Sequence, residues 1–127
     1  MNADESVLNQ ISERIIGGAF TVANTLGAGF LEKVYENALA HELRTRGLPV
    51  AQQHGVAVRY NDIVVGEYTA DLVVDGSVIV ELKAVRALDN VHRAQCMNYL
   101  RASGLRLCLL LNFGSPRLEI ARIVHEL

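Results

Sequence analysis

Glu81 and Lys83 stand in "VIVELKAV" (78–85), an otherwise aliphatic and β-branched run that reads as a buried strand. Charged side chains are almost never fully buried unless they are paired. Alternation places Glu81 and Lys83 on one face of that strand, with Val80, Leu82 and Ala84 on the other. Asp71, in "TADLVV", is a second charge inside an apolar strand, on the far side of a turn at Asp75-Gly76. Two carboxylates on neighbouring strands, about 5 Å apart at Cβ, repel unless a cation lies between them. Hard oxygen ligands suit Mg²⁺ or Mn²⁺, which bind through one or two carboxylates plus waters and substrate phosphate. A lysine beside such an ion can hold or help deprotonate an attacking water and stabilise developing phosphate charge. Asp71, Glu81 and Lys83 are therefore the parts of a metal-assisted phosphodiester hydrolase.

Register decides whether the parts meet. A strict two-residue Asp75-Gly76 turn pairs Val74 with Ser77 and sets Asp71 against Val80, on the wrong face. A three-residue loop with Gly76 left-handed, or a bulge near Asp71, puts the acids on one face. The site requires one of these, and we expect one. On pattern alone the alternative is an ordinary edge-strand salt bridge among the three residues, worth about 0–1 kcal/mol where exposed.

Helical spacing adds further candidates. Glu32 and Glu36 lie four apart. Glu32 sits at the border of an apolar stripe and can reach the site as a third acid, whereas Glu36 is expected on the solvated flank. His92, Gln95 and Tyr99 form one polar-aromatic stripe that either is plain surface or faces the strand edge to orient phosphate or water.

The elements that must position these residues follow from periodicity. Leu8, Ile11, Ile15, Ala19, Val22 and Leu26 mark a helix over 4–26, in which Gly17 and Gly18 cost about 1 kcal/mol each relative to Ala. A second helix is expected over 30–46, stopped by Gly47 and Pro49. The period then becomes two: strands at 50–60, 63–74 and 77–85, joined by "ND" and "DG" turns, form an antiparallel meander. A third helix runs from Asp89 or Asn90 to Ala102. The run 105–113 reads as a strand covered on both faces, and 116–124 as a final strand. The order α-α-β-β-β-α-β-β is an α/β (α+β) arrangement of helices on a mixed sheet.

The chain of 127 residues, 50% apolar and 20% charged, suits one globular domain over 1–127. Its net charge of −2 lacks the basic excess of a strong non-specific nucleic-acid binder. Lys33, Arg44, Arg46, Arg59, Arg86, Arg93 and Arg101 could still form a phosphate-facing patch or be ordinary solvated surface. Cys96 and Cys108 lack metal-type spacing, the amino terminus lacks a signal pattern, and no run reaches the roughly 18–20 apolar residues of a membrane span. A cytoplasmic protein with reduced thiols and no membrane association is expected.

"GFLEKVYENAL" (29–39) contains Gly29-x-x-Glu32-x-x-Tyr35 and resembles the signature of the GxxExxY protein family, a branch of the PD-(D/E)XK nuclease superfamily. The likeness continues through "HELRTRG", "GEYTADLVVDGSVIVELKAV", "HRAQCMNYL" and "GLRLCLLLNFG", over roughly residues 10–124. The resemblance implies a restriction-endonuclease-like αβββαβ core, with the first helix an N-terminal extension and a C-terminal strand added. It implies that Asp71 and Glu81, with Glu32 from the helix, hold Mg²⁺ (or Mn²⁺) and that Lys83 serves the water. Gln95 and Tyr99 match a Q-x-x-x-Y element. Tyr99, His92 and Tyr35 are expected to contact substrate, and Gln95 to assist catalysis. Ala70 stands where the superfamily's name has proline, a position that varies widely within it. The expected partner is nucleic acid, DNA before RNA, and a homodimer or partner subunit could supply the contact area that 127 residues lack. The alternative is a non-catalytic nucleic-acid-binding or scaffold subunit that keeps the fold.

Overall fold

A computed structural model describes residues 3–127, with side chains from Asp4 onward. The elements are α1 (Ala3–Leu26), α2 (Glu32–Thr45), β1 (Val50–Tyr60), β2 (Ile63–Val74), β3 (Val78–Lys83), α3 (Asn90–Ser103), β4 (Leu107–Asn112) and β5 (Glu119–Val124). The five strands lie side by side in chain order. β3 and β4 are parallel and joined across the sheet face by α3, and every other neighbouring pair is antiparallel. This is the mixed restriction-endonuclease-like arrangement expected above.

The two sheet faces carry separate cores. α1 and α2 cover one with Ile15, Ala19, Leu39 and Leu43 against Leu72, Val80, Leu82 and Leu109. α3 covers the other with Cys96, Tyr99 and Leu100 against Val73, Ile79, Cys108 and Leu110. All six residues of β4 are buried, which explains why its sequence shows no alternation. Gly18 has a structural reason inside α1: a Cβ there would lie 2.8 Å from Leu43 Cδ2, so the glycine lets α1 and α2 approach closely.

The turn between β2 and β3 is odd-numbered. Val74 pairs with Val78, leaving Asp75, Gly76 and Ser77 as the loop, and Gly76 is left-handed at φ +61°. The ribbon also turns over at Asp71. Leu72 packs under α1 and α2, but Ala70, two residues away, packs under α3. Side chains two apart share a face on a regular strand, so the backbone must be irregular here. The irregularity is visible across the pair: Gln53, between partners that match Leu72 and Ala70, has φ +51°. A non-glycine residue in that region is uncommon and mildly strained.

The far end of β3 is clamped by β4. Phe113 N donates to Lys83 O at 2.8 Å, and buried Asn112 donates to Val85 O and accepts from Val85 N at 2.9 and 3.0 Å. These bonds hold the backbone that carries Lys83.

Tyr35 belongs to the core rather than to a substrate surface, contrary to expectation. It is fully buried, its ring stacks on Phe113 at 4.8 Å, and its hydroxyl donates to Gly27 O and accepts from Phe30 N. The hydroxyl thereby pins the α1–α2 connection. Tyr35→Phe leaves both backbone groups short of a partner, and we expect it to lower unfolding free energy by about 1–3 kcal/mol in urea titration. A loss below roughly 0.5 kcal/mol would show that water takes over both bonds.

Candidate active site

The β2–β3 ladder ends at Leu72 and Val80, and one step further its register sets Asp71 against Glu81. The strands splay there, and carboxylates replace the missing backbone bonds. Leu82 N donates to Asp71 Oδ2 at 2.9 Å, and Asp71 N donates to Glu81 Oε1 at 3.2 Å. Backbone N–H groups opened by the splay must find acceptors, and the two acids supply them. The expected meeting of Asp71 and Glu81 on one side of the hairpin is therefore present. The edge-strand salt bridge is not: no ion pair joins Lys83 to either acid among the described residues.

Glu81 is 3% exposed. Burial first, then the charge of Asp71 and a hydrogen bond to its carboxyl, push the Glu81 pKa up to about 10. In the metal-free protein Glu81 thus favours its protonated form at neutral pH. Tyr99 is pushed up to about 12, mainly by burial and then by Glu81 and Asp71, which places α3 against the acids. Gln95 Nε2 donates to Tyr99 Oη at 3.0 Å, so the two stripe residues act as one unit. A hydrogen bond with Cys108 draws the Cys96 pKa down, and the thiol lies within the field of Lys83 and Asp71. Both cysteines are free and buried.

Glu32, the first residue of α2, lies at the exposed lip. Its pKa is raised by partial burial first and by Asp71 next, while Lys83 and His92 pull it down. Glu32 and His92 thus face the same space as Asp71 and Lys83. His92 is also part of a helix cap: its Nδ1 accepts from Asp89 N at 3.2 Å while Asp89 Oδ1 accepts from His92 N.

Glu36 departs from expectation. It is 3% exposed rather than on a solvated flank, and three donors surround it: Lys33 Nζ at 3.0 Å, Gln52 Nε2 at 2.8 Å and Gln53 Nε2 at 2.7 Å. Gln53 also extends toward Asp71 Oδ1 at 3.5 Å, which links the α2 acid to the strand acid. The signals for this cluster were faint: Glu36 stands four residues before buried Ala40, and the "QQ" at 52–53 interrupts a strand pattern.

Two carboxylates, a third at the lip and a nearby lysine provide hard oxygen donors and a cationic group. No three His, Cys, Asp or Glu side chains among the described residues stand close enough to form a complete metal cage. The donor set still fits an ion that keeps waters and takes one or two carboxylates. The charge of Asp71 disfavours ionisation of Glu81, a like-charge strain that a divalent cation between them would relieve.

A five-stranded mixed sheet with paired acids in a splayed hairpin and a lysine two residues on is the architecture of restriction-endonuclease-like nucleases. The sequence profile of the PD-(D/E)XK nuclease superfamily matches residues 9–123, and the chain belongs to that superfamily. Among solved structures it is similar in fold to SSO0001, with a TM-score of 0.58 and 17% identity over 98% of this chain. The chain spans 62% of that protein's length. No curated protein sequence matches this chain significantly. No helix among the described residues is long and apolar enough to cross a membrane.

Proposed function

We propose that this protein is a metal-dependent nuclease, with Asp71, Glu81 and Glu32 as ion-holding acids and Lys83 as the group that serves the attacking water. The observation that carries the reading is the Asp71–Glu81 pair, two acids set against each other and bridged through backbone N–H groups. Mg²⁺ or Mn²⁺, when bound, supplies charge neutralisation at the phosphodiester and a more acidic water. The chain's own groups do the rest. Lys83 orients the water and stabilises charge that develops on phosphate oxygens. Gln95 and Tyr99, bonded to each other beside the acids, position the phosphate, and His92 contacts the strand from the lip. DNA is the first expected substrate and RNA the second. We place the protein in the cytoplasm and regard the GxxExxY signature as the branch to which it belongs.

Linear, single-stranded and branched DNA and RNA should be cut in Mg²⁺ or Mn²⁺ and remain intact in EDTA. Titration calorimetry should detect ion binding that Asp71→Asn removes together with cleavage. A wild type that neither binds the ion nor cuts any of these substrates overturns the enzyme reading and leaves the non-catalytic nucleic-acid-binding subunit.

A further inference from the structure

A second feature lies beside this site. A groove of about 360 Å³ runs between the distal half of the β1–β2 ribbon and α3, lined by Arg59 and Tyr68 on one side and Asn98 and Arg101 on the other. Three of the basic side chains expected to form a patch are already tied down. Arg44 donates to Val50 O and Gln52, Arg46 to Glu42 and Thr21, and Lys33 to Glu36. Arg59, Arg86, Arg93 and Arg101 are exposed with no side-chain hydrogen-bond or ion-pair partner among the described residues, and of these Arg59 and Arg101 line this groove together.

Two free guanidiniums on one groove repel each other unless an anion lies between them, and their forked donors match phosphate oxygens. The groove adjoins the side chains that pack on the acids. The Tyr68 ring meets Tyr99 edge-on at 5.2 Å, and Tyr99 stands in the field of Glu81 and Asp71. A strand whose scissile phosphate lies at Asp71 and Glu81 therefore has a path over Tyr68 to the arginines. Tyr68 is 43% exposed, enough to offer a base a ring face or edge.

We propose that this groove is a phosphate-binding subsite for the nucleic-acid strand that flanks the scissile bond, with Arg59 and Arg101 on a backbone phosphate, Asn98 beside them and Tyr68 beneath a base. The proposal rests on the nuclease reading, but its test does not require cleavage. Binding of fluorescein-labelled single-stranded and duplex DNA is measured by anisotropy in EDTA, over a series of salt concentrations, with circular dichroism to verify the fold. Arg59→Gln combined with Arg101→Gln should weaken binding about tenfold and lower the log–log salt slope by about 1–2, as expected for one or two lost phosphate contacts. Arg122→Gln is the control, a charge loss on the opposite sheet face where Arg122 donates to Asn9. It should leave affinity and slope unchanged.

A double variant that binds like wild type, an equal loss with Arg122→Gln, or a wild type that binds no DNA overturns the groove. If the expected loss occurs but no substrate is cut, the groove stands and the catalytic reading fails. If wild type cuts DNA while the double variant binds normally, the groove alone fails.

Discussion

Lys83→Ala should lower the rate of phosphodiester cleavage by about 10²–10³-fold, the usual cost of removing one group that stabilises charge at a reacting centre. The variant should fold normally. The Lys83 side chain forms no hydrogen bond or ion pair among the described residues, and the backbone that carries it is held by Phe113 and Asn112. Its removal should therefore change unfolding free energy by less than about 0.5 kcal/mol. Ion binding, assigned to Asp71 and Glu81, should persist in calorimetry. That combination separates a group that serves the water from one that holds the ion. A variant that keeps more than a third of the wild-type rate would remove Lys83 from the chemistry.

Glu81→Gln should stabilise the metal-free protein while abolishing its response to divalent ions. The folded pKa of Glu81, about 10, lies above its unfolded value of 4.5. A group raised on folding contributes stability that is complete below the unfolded value and is lost as pH climbs toward the folded one. At pH 7 the loss covers about 2.5 pH units at 1.36 kcal/mol each, or roughly 3 kcal/mol. Glutamine does not ionise in the unfolded chain and so avoids that loss. Its amide can still accept from Asp71 N and donate to the Asp71 carboxylate. Urea or thermal melts of wild type should weaken steadily from pH 5 to pH 9, and those of Glu81→Gln much less. Near neutral pH the variant should melt roughly 10 °C higher. Mg²⁺ or Mn²⁺ should restore wild type by displacing the proton, with uptake that strengthens as pH rises, and should leave the variant unchanged. Equal stability of the two proteins at pH 8 would show that Glu81 carries no displaced proton.

These expectations rest on a site that is partly legible in the sequence alone. Asp71, Glu81 and Lys83 stood out because each breaks an apolar alternation, and alternation is a local property. The need for an odd hairpin loop or a bulge was also readable, since parity determines which side chains share a face, and the register resolves it as the loop. Glu36 was not legible. A helix-border position can face water or a neighbour, and the two glutamines that cover it belong to a strand that must first pair with β2. The family resemblance set Tyr35 among the substrate contacts. Its hydroxyl instead serves the connection between α1 and α2.

The sequence by itself determined the order of helices and strands, the two acids and lysine that interrupt their strands, and the need for an odd loop or a bulge between the acids. All of these depend on hydrophobic period and on residues within a few positions of one another. Only the tertiary structure decided three other things. The ribbon turns over at Gln53 and Asp71, where a left-handed glutamine gives no sign in its own sequence. Burial, not composition, sets the proton on Glu81, because desolvation depends on what packs above the strand. Of the exposed, unpartnered arginines, Arg59 and Arg101 are the two that share a groove, since that depends on which elements the fold brings side by side.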